Sequence, residues 1–239
     1  MGNDKAKVAI ITGAGSGVGE QIAIELNSKG YRCVLVGRTS EKLEAVGASL
    51  VGEQGQDWIT IAGDVGIDAD RERIIAESMS AFKQVDALVN NAGLAVFAKM
   101  ADMTSDQLHA MFAVNVVGPV DLARRVVGHM SERGSGAIVS ISSMAQIDPF
   151  DGLGVYGCTK GGVGVLAKAV ANEYGDSGVS GYSICPGAIE TQMLRSFVSE
   201  EVYPSDATLT PAEVASVVVQ CVTGDTDLEN GSVFEMPSH

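Results

Sequence analysis

The sequence has four cysteines and three histidines, and neither set is arranged to hold a metal or a disulfide framework. Cys33, Cys158, Cys185 and Cys221 form no CxxC pair, and His109, His129 and His239 form no HxxxH-type cluster. Thiols scattered in this way read as reduced side chains of a cytoplasmic protein, and a bound metal is unsupported. Basic residues are also few: 16 Lys and Arg against 30 Asp and Glu leave a net charge of −14. Such a surface repels nucleic-acid phosphates and anionic lipid headgroups, so neither nucleic acid nor a membrane is an expected partner. No apolar run reaches the length that spans a bilayer. The opening "MGNDKAKVAIITG" shows no signal-peptide pattern, because its apolar run is short and passes straight into glycines. Gly2 invites a myristoylation reading, but Ala6 stands where that motif wants Ser or Thr. A soluble, cytoplasmic chain is the expectation.

What is present is apolar material in short runs. At 239 residues and 46% hydrophobic, the chain can build a substantial core. The runs are "KVAIIT" (7–12), "CVLVG" (33–37), "WITIAG" (58–63), "DALVN" (86–90), "GAIVSIS" (136–142), "VSGYSI" (179–184) and "GSVFEM" (231–236). Helical patterns lie between them, near 18–29, 40–51, 68–83, 104–131, 156–175 and 211–223. Several runs are apolar without alternation, as strands buried on both faces are. Strands alternating with helices predict an α/β, Rossmann-type doubly wound fold: a mainly parallel seven-stranded sheet with helices on both faces. No repeat, low-complexity tract or linker divides the chain, so residues 1–239 are expected to form a single domain.

The first strand runs into "TGAGSGVG" (12–19), which opens a helix. Glycines there let the backbone turn tightly and approach a phosphate at the helix N-terminus. Val18 breaks the usual G-x-G-x-x-G; the pattern that fits is T-G-x-x-x-G-x-G, on Thr12, Gly13, Gly17 and Gly19. The turn as a whole, Gly13, Gly15, Ser16, Gly17, Val18 and Gly19, is a candidate dinucleotide phosphate cradle. The second strand ends in "VLVGRTS", with Gly37 where an NAD-binding acid would stand and Arg38 after it. No carboxylate repels a 2′-phosphate there and a guanidinium is at hand, which favours NADP over NAD.

Further along, "VYGCTK" puts Tyr156 and Lys160 four residues apart, on one face of a helix. With "TGAGSGVG" go "GDV" (63–65), "NNAG" (90–93), Asn115 in "VNVVG", "SISS" (140–143), "YGCTK" (156–160) and "PGAIETQ" (186–192). In this order and spacing, over essentially the whole length, the chain resembles the short-chain dehydrogenase/reductase family, and within it the 3-oxoacyl-thioester reductases. The resemblance implies Tyr156 as proton donor and acceptor, with Lys160 favouring the phenolate and holding the nicotinamide ribose. It selects Ser143, thirteen residues before the tyrosine, as the serine that bonds the substrate oxygen, and leaves Ser142 a neighbour. Asn115 matches the asparagine that links the lysine to a proton relay. Asp64 and Val65 resemble the adenine-binding pair, and Asn91, Ala92 and Gly93 the segment against the adenosine ribose. Pro186, Gly187, Ile189 and Thr191 resemble the segment that cradles the nicotinamide. A homo-oligomer, dimer or tetramer, is implied in the same way.

A non-catalytic dinucleotide sensor would keep the glycine turn but has no use for Ser143, Tyr156 and Lys160 at these spacings. Within the enzymes, an NAD-dependent alcohol or polyol dehydrogenase is the alternative, and Arg38 discriminates. Cys158 points away from Tyr156 on a helix and reads as a small buried packing residue. Residues 192–208, "QMLRSFVSEEVYPSDAT", are expected to form a mobile lid over the substrate, anchored by Met193, Leu194 and Phe197. The lid composition suits a moderately apolar carbonyl compound, first of all a 3-oxoacyl thioester, with Arg195 free to meet an acidic group.

Overall fold

The seven apolar runs pair side by side. In the computed structural model, which describes residues 6–239, they are Val8–Thr12 (β1), Arg32–Gly37 (β2), Trp58–Ala62 (β3), Ala87–Asn90 (β4), Gly136–Ile141 (β5), Val179–Pro186 (β6) and Val233–Met236 (β7). The Gly2 acylation reading lies outside the described residues. The strands form a sheet in the order β3-β2-β1-β4-β5-β6-β7, and every neighbouring pair is parallel. β1 is buried at all five positions, as its unbroken apolar run requires of a central strand covered on both faces.

Alternate residues of each strand feed opposite cores. Ala9 and Ile11 face one side with Leu35, Val89 and Val139, packed against helices Gly17–Ser28 (α1) and Pro211–Thr223 (α9) through Ile22, Leu26 and Val218. Val8 and Ile10 face the other with Val34, Leu88 and Ile138, packed against Asp68–Phe82 (α3) and Gly118–Glu132 (α5) through Ile74, Leu122 and Val126. Each such fully buried aliphatic side chain contributes about 1.5–3 kcal/mol relative to exposure. The α9 boundaries follow from its ends. Thr210 and Glu213 form a reciprocal capping box, Pro211 takes the first turn, and Gly224 closes the helix in the left-handed region.

Three helical expectations change. The pattern over 104–131 divides into Ser105–Phe112 (α4), a π turn at Ala113–Val117, and α5. A π turn inserts one residue into the helical ladder and marks functional sites, and this one carries Asn115. The pattern over 156–175 begins earlier and divides at Val165 into Gly154–Gly164 (α6) and Leu166–Tyr174 (α7), after a glycine-rich stretch that weakens the helix. Ser40–Gly47 (α2) stops before residue 51, and Gln192–Arg195 (α8) is a single turn.

The strand order reverses between β1 and β4, so the crevice at their carboxyl ends is a topological switch point, where open α/β sheets bind ligands.

Candidate active site

The glycine turn is built as a wedge between β1 and β4. Thr12 Oγ1 donates to Val89 O at 3.2 Å and accepts from Asn91 N and Ala92 N, both at 3.0 Å. Asn91 Nδ2 donates to Thr12 O at 2.9 Å and to Gly13 O at 3.2 Å. Gly13 has φ +66°, and a Cβ on it would stand 2.8 Å from Asn91 Nδ2. A Cβ on Gly19 would stand 2.6 Å from the same nitrogen and collide with Gly13 O. Both glycines are therefore needed for close approach of the backbone. Ser16 is the N-cap of α1 with no side-chain cap bond, so the N–H groups of Gly17, Val18 and Gly19 keep their donors at the positive end of the helix. Gly15 lies against Lys42 of α2, and Gly17 faces Thr191 Cγ2, 3.4 Å from where a Cβ would be. This donor-lined cradle, too tight for side chains, fits a dinucleotide pyrophosphate.

Past the end of β2, Arg38 is exposed and makes no salt bridge among the described residues, next to Gly37 and the start of α2. Asp64 Oδ1 accepts from Gly66 N at 2.8 Å, and Val65 is buried.

Asn115, Lys160 and Gly93 converge. A Cβ on Gly93 would lie 3.5 Å from Lys160 Nζ and 3.7 Å from Asn115 Oδ1. Asn115 Oδ1 accepts from Leu94 N at 2.8 Å, while its Nδ2 donates to Leu94 O at 2.7 Å and Thr159 Oγ1 at 2.9 Å. The Asn115 amide thereby ties the loop after β4 to α6. Lys160 is buried, its Nζ donates to Ile141 O at 2.8 Å, and it stands 5.7 Å from the Tyr156 ring centre. Ser143 Oγ accepts from Ala145 N at 3.1 Å and lies beside the Tyr156 hydroxyl. Ser142 is buried and differently employed: its Oγ donates to Lys160 O at 2.8 Å and lies 3.0 Å from the Gln146 side-chain amide. Gln146 Nε2 in turn reaches Cys185 Sγ at 2.9 Å. Cys158 is exposed.

Burial pushes the Tyr156 phenol up to about 12, with the Ser143 hydroxyl acting in the opposite direction. Burial also pulls Lys160 down to about 8, opposed by Cys185. Desolvation is the largest influence on both groups, and no hydrogen bond joins them among the described residues.

Pro186 ends β6 opposite Met236, Gly187 N donates to Met236 O at 2.8 Å, and Ile189 bridges to Leu209. Thr191 caps α8, its Oγ1 accepting from Leu194 N at 3.3 Å and donating to Ile189 O at 3.2 Å. Arg195 is not free for an acidic ligand: Glu190 takes its Nε at 2.8 Å and its Nη2 in a short ion pair, and its Nη1 donates to Tyr203 O at 2.8 Å. Phe197 stacks on Phe97 with ring centres 6.2 Å apart, while Met193 is exposed and anchors nothing inside. Glu190, Phe97, Gln146 and Thr159 escape a sequence reading. Thr159, inside "YGCTK", and Glu190, inside "PGAIETQ", carried a signal, and Phe97 and Gln146 carried none.

A family model described as short chain dehydrogenase matches residues 7–202. The 2-(R)-hydroxypropyl-CoM dehydrogenase of Xanthobacter autotrophicus is 33% identical over 243 residues, 97% of each chain. A 3-ketoacyl-(acyl-carrier-protein) reductase from Brucella melitensis, solved with NADH, superposes with a TM-score of 0.88 at 28% identity, over 97% of this chain and 96% of that one. Levodione reductase superposes with a TM-score of 0.87 at 27% identity, over 96% and 95%.

Proposed function

The chain belongs to the short-chain dehydrogenase/reductase family, and from that premise we propose that it is an NADP(H)-dependent oxidoreductase interconverting a carbonyl compound and a secondary alcohol. The observation that carries the reading is the convergence of Ser143, Tyr156 and Lys160 at the carboxyl edge of the sheet, beside the glycine cradle. Gly13, Gly15, Ser16, Gly17, Val18 and Gly19 hold the pyrophosphate and Arg38 the 2′-phosphate. Asp64 and Val65 hold the adenine, Ala92 and Gly93 flank the adenosine ribose, and Asn91 shapes the turn. Pro186, Gly187, Ile189 and Thr191 hold the nicotinamide, which supplies the hydride when bound.

The remaining chemistry belongs to the chain. The Tyr156 phenol, pushed up to about 12, keeps its proton at neutral pH and gives it to the substrate oxygen as negative charge develops there. Ser143 Oγ donates a hydrogen bond to the same oxygen. Lys160, held by Ile141 O, places positive charge under the tyrosine ring and steadies the phenolate left behind. Asn115 fixes the Leu94 backbone against Thr159, which keeps the lysine pocket in shape.

The substrate reading is an apolar carbonyl compound, first a 3-oxoacyl thioester. Stacked Phe97 and Phe197 offer an apolar wall, and the pairing of Arg195 with Glu190 removes an anion-binding group. Residues 192–208 form the lid, in one domain with the rest, and hydrogen exchange across them should slow when NADPH binds. The reading also has a cytoplasmic dimer or tetramer. The test is a panel of carbonyl compounds, 3-oxoacyl thioesters included, followed by loss of reduced-nicotinamide absorbance with NADPH and NADH. NADPH-linked turnover of one class supports the reading. Tight NADPH binding with no turnover of any carbonyl or alcohol would make the chain a sensor.

A further inference from the structure

The end of β3 and the loop after it are held by three side chains from the first turns of α3. Asp70 Oδ2 accepts from Asp64 N at 2.8 Å, Arg71 Nη1 donates to Val65 O at 2.9 Å, and Arg73 Nη2 donates to Ala62 O at 2.6 Å. The middle tether differs from the other two. Arg71 is 5% exposed, and its other nitrogens donate to Asp121 Oδ2 of α5 at 2.8 Å and to Asp68 Oδ1 at 3.0 Å. Asp121 also accepts from Arg124 and Arg125, and Arg125 closes the cluster on Asp68 at 2.9 Å. The loop packs on α5 as well, since a Cβ on Gly118 would lie 2.8 Å from Val65 O.

A buried guanidinium is an expensive way to join two helices, because apolar side chains of similar volume do so as well or better. What the fork adds is direction: three acceptors in fixed positions around one planar group. One of them is a main-chain carbonyl of the loop, so the cluster fixes the orientation of one peptide unit. With Val65 O drawn inward and Asp64 N taken by Asp70, the Asp64 carboxylate is presented by a loop that is shaped in advance. Its Oδ1 is steadied by Gly66 N, and its other oxygen has no partner among the described residues.

We propose that Arg71 is a positioning residue for the adenine end of the cofactor, setting the Asp64–Val65 turn through the Val65 carbonyl and anchoring it to α5 through Asp121. The proposal rests on the reading of Asp64 and Val65 as adenine contacts. It separates the two halves of the cofactor: loss of Arg71 weakens whatever depends on adenosine and leaves the nicotinamide end alone.

The test compares NADPH with reduced nicotinamide mononucleotide, which lacks the adenosine half. Turnover of a carbonyl substrate is measured for the wild type, Arg71→Met, Arg71→Lys, Asp70→Ala and Asp64→Ala. Arg71→Met should raise KM for NADPH roughly tenfold, the scale of one lost hydrogen bond to a charged group. It should hold kcat within about twofold and leave kcat/KM with the mononucleotide unchanged. Arg71→Lys should not rescue, because a point charge cannot serve three acceptors. If Arg71→Met does not fold, Asp70→Ala, which loses the more exposed Asp64 tether together with the ion pair to Arg73, should raise KM for NADPH severalfold with the mononucleotide unaffected. Equal losses with both cofactors, or an unchanged KM for NADPH, would overturn the positioning role. An Asp64→Ala variant with unchanged KM for NADPH would instead overturn the adenine reading; sensitivity at Asp64 with none at Arg71 or Asp70 would overturn the proposal alone.

Discussion

Substituting Gly19 by alanine perturbs the phosphate cradle without adding charge or polarity. The new Cβ would stand 2.6 Å from Asn91 Nδ2 and collide with the Gly13 carbonyl oxygen. Neither neighbour can give way. Gly13 is held in a left-handed conformation, and Asn91 Nδ2 is bonded to both Thr12 O and Gly13 O. Restoring ordinary contact requires α1 to move from the turn by about 1 Å, an overpacking that costs about 1–3 kcal/mol. In a chain of this length each kcal/mol lowers Tm by about 2–4 °C. The shift also carries the N–H groups of the first turn of α1 away from the pyrophosphate. Losing one hydrogen bond to a charged group weakens NADPH binding by about 10- to 150-fold. Gly128→Ala, on the exposed face of α5, is the internal control, because its Cβ would meet nothing within 4 Å. Thermal unfolding and fluorescence titration with NADPH read both variants. If Gly19→Ala binds NADPH as the wild type does, or if Gly128→Ala is damaged as much, Gly19 is not wedged against Gly13 and Asn91.

Arg38→Ser should remove most of a 10- to 150-fold preference for NADPH over NADH, the scale of one charged hydrogen bond; equal affinities in the wild type would sink the NADP assignment. Ser143→Ala should lower kcat with little change in Tm. Ser142→Ala should do the reverse, because it removes a buried bond to Lys160 O worth about 1–3 kcal/mol once unsatisfied. The opposite pattern would move the substrate-binding serine by one residue. Lys160 loses its proton as pH rises through about 8, so NADPH affinity should be flat below that value and fall above it, and Lys160→Met should lack the falling limb. A wild-type affinity that is flat to pH 9.5 would remove the lysine from the ribose.

All seven strands were legible, the central ones because apolar runs buried on both faces look the same in sequence as in the sheet, and the partly exposed edge strands β3 and β7 because they keep short runs of strand-forming residues. Tyr156 and Lys160 were legible because one helix turn brings them together. What could not be read are partnerships across the fold. Arg71 meets Asp121 fifty residues away, and Asn115 holds Leu94, twenty-one residues before it. The π turn at Ala113–Val117 adds one residue to the ladder, which the apolar period of residues 104–131 does not reveal. α8, four residues long, is too short for periodicity to show. Arg195 was read as available because Glu190, outside any regular helix shared with it, gave no spacing rule to pair them.

The central claim is that Tyr156 donates the proton. Its hydroxyl lies beside Ser143 and its phenol is pushed up to about 12, so at pH 7 the proton is present to be given. The direct measurement is kcat of Tyr156→Phe at saturating NADPH and carbonyl substrate, with the NADPH Kd determined on the same preparation. The account predicts a loss of about 10²- to 10⁴-fold in kcat with Kd within about twofold of wild type. A variant that keeps more than about a tenth of the turnover would contradict it, as would one that loses NADPH binding in step with its activity.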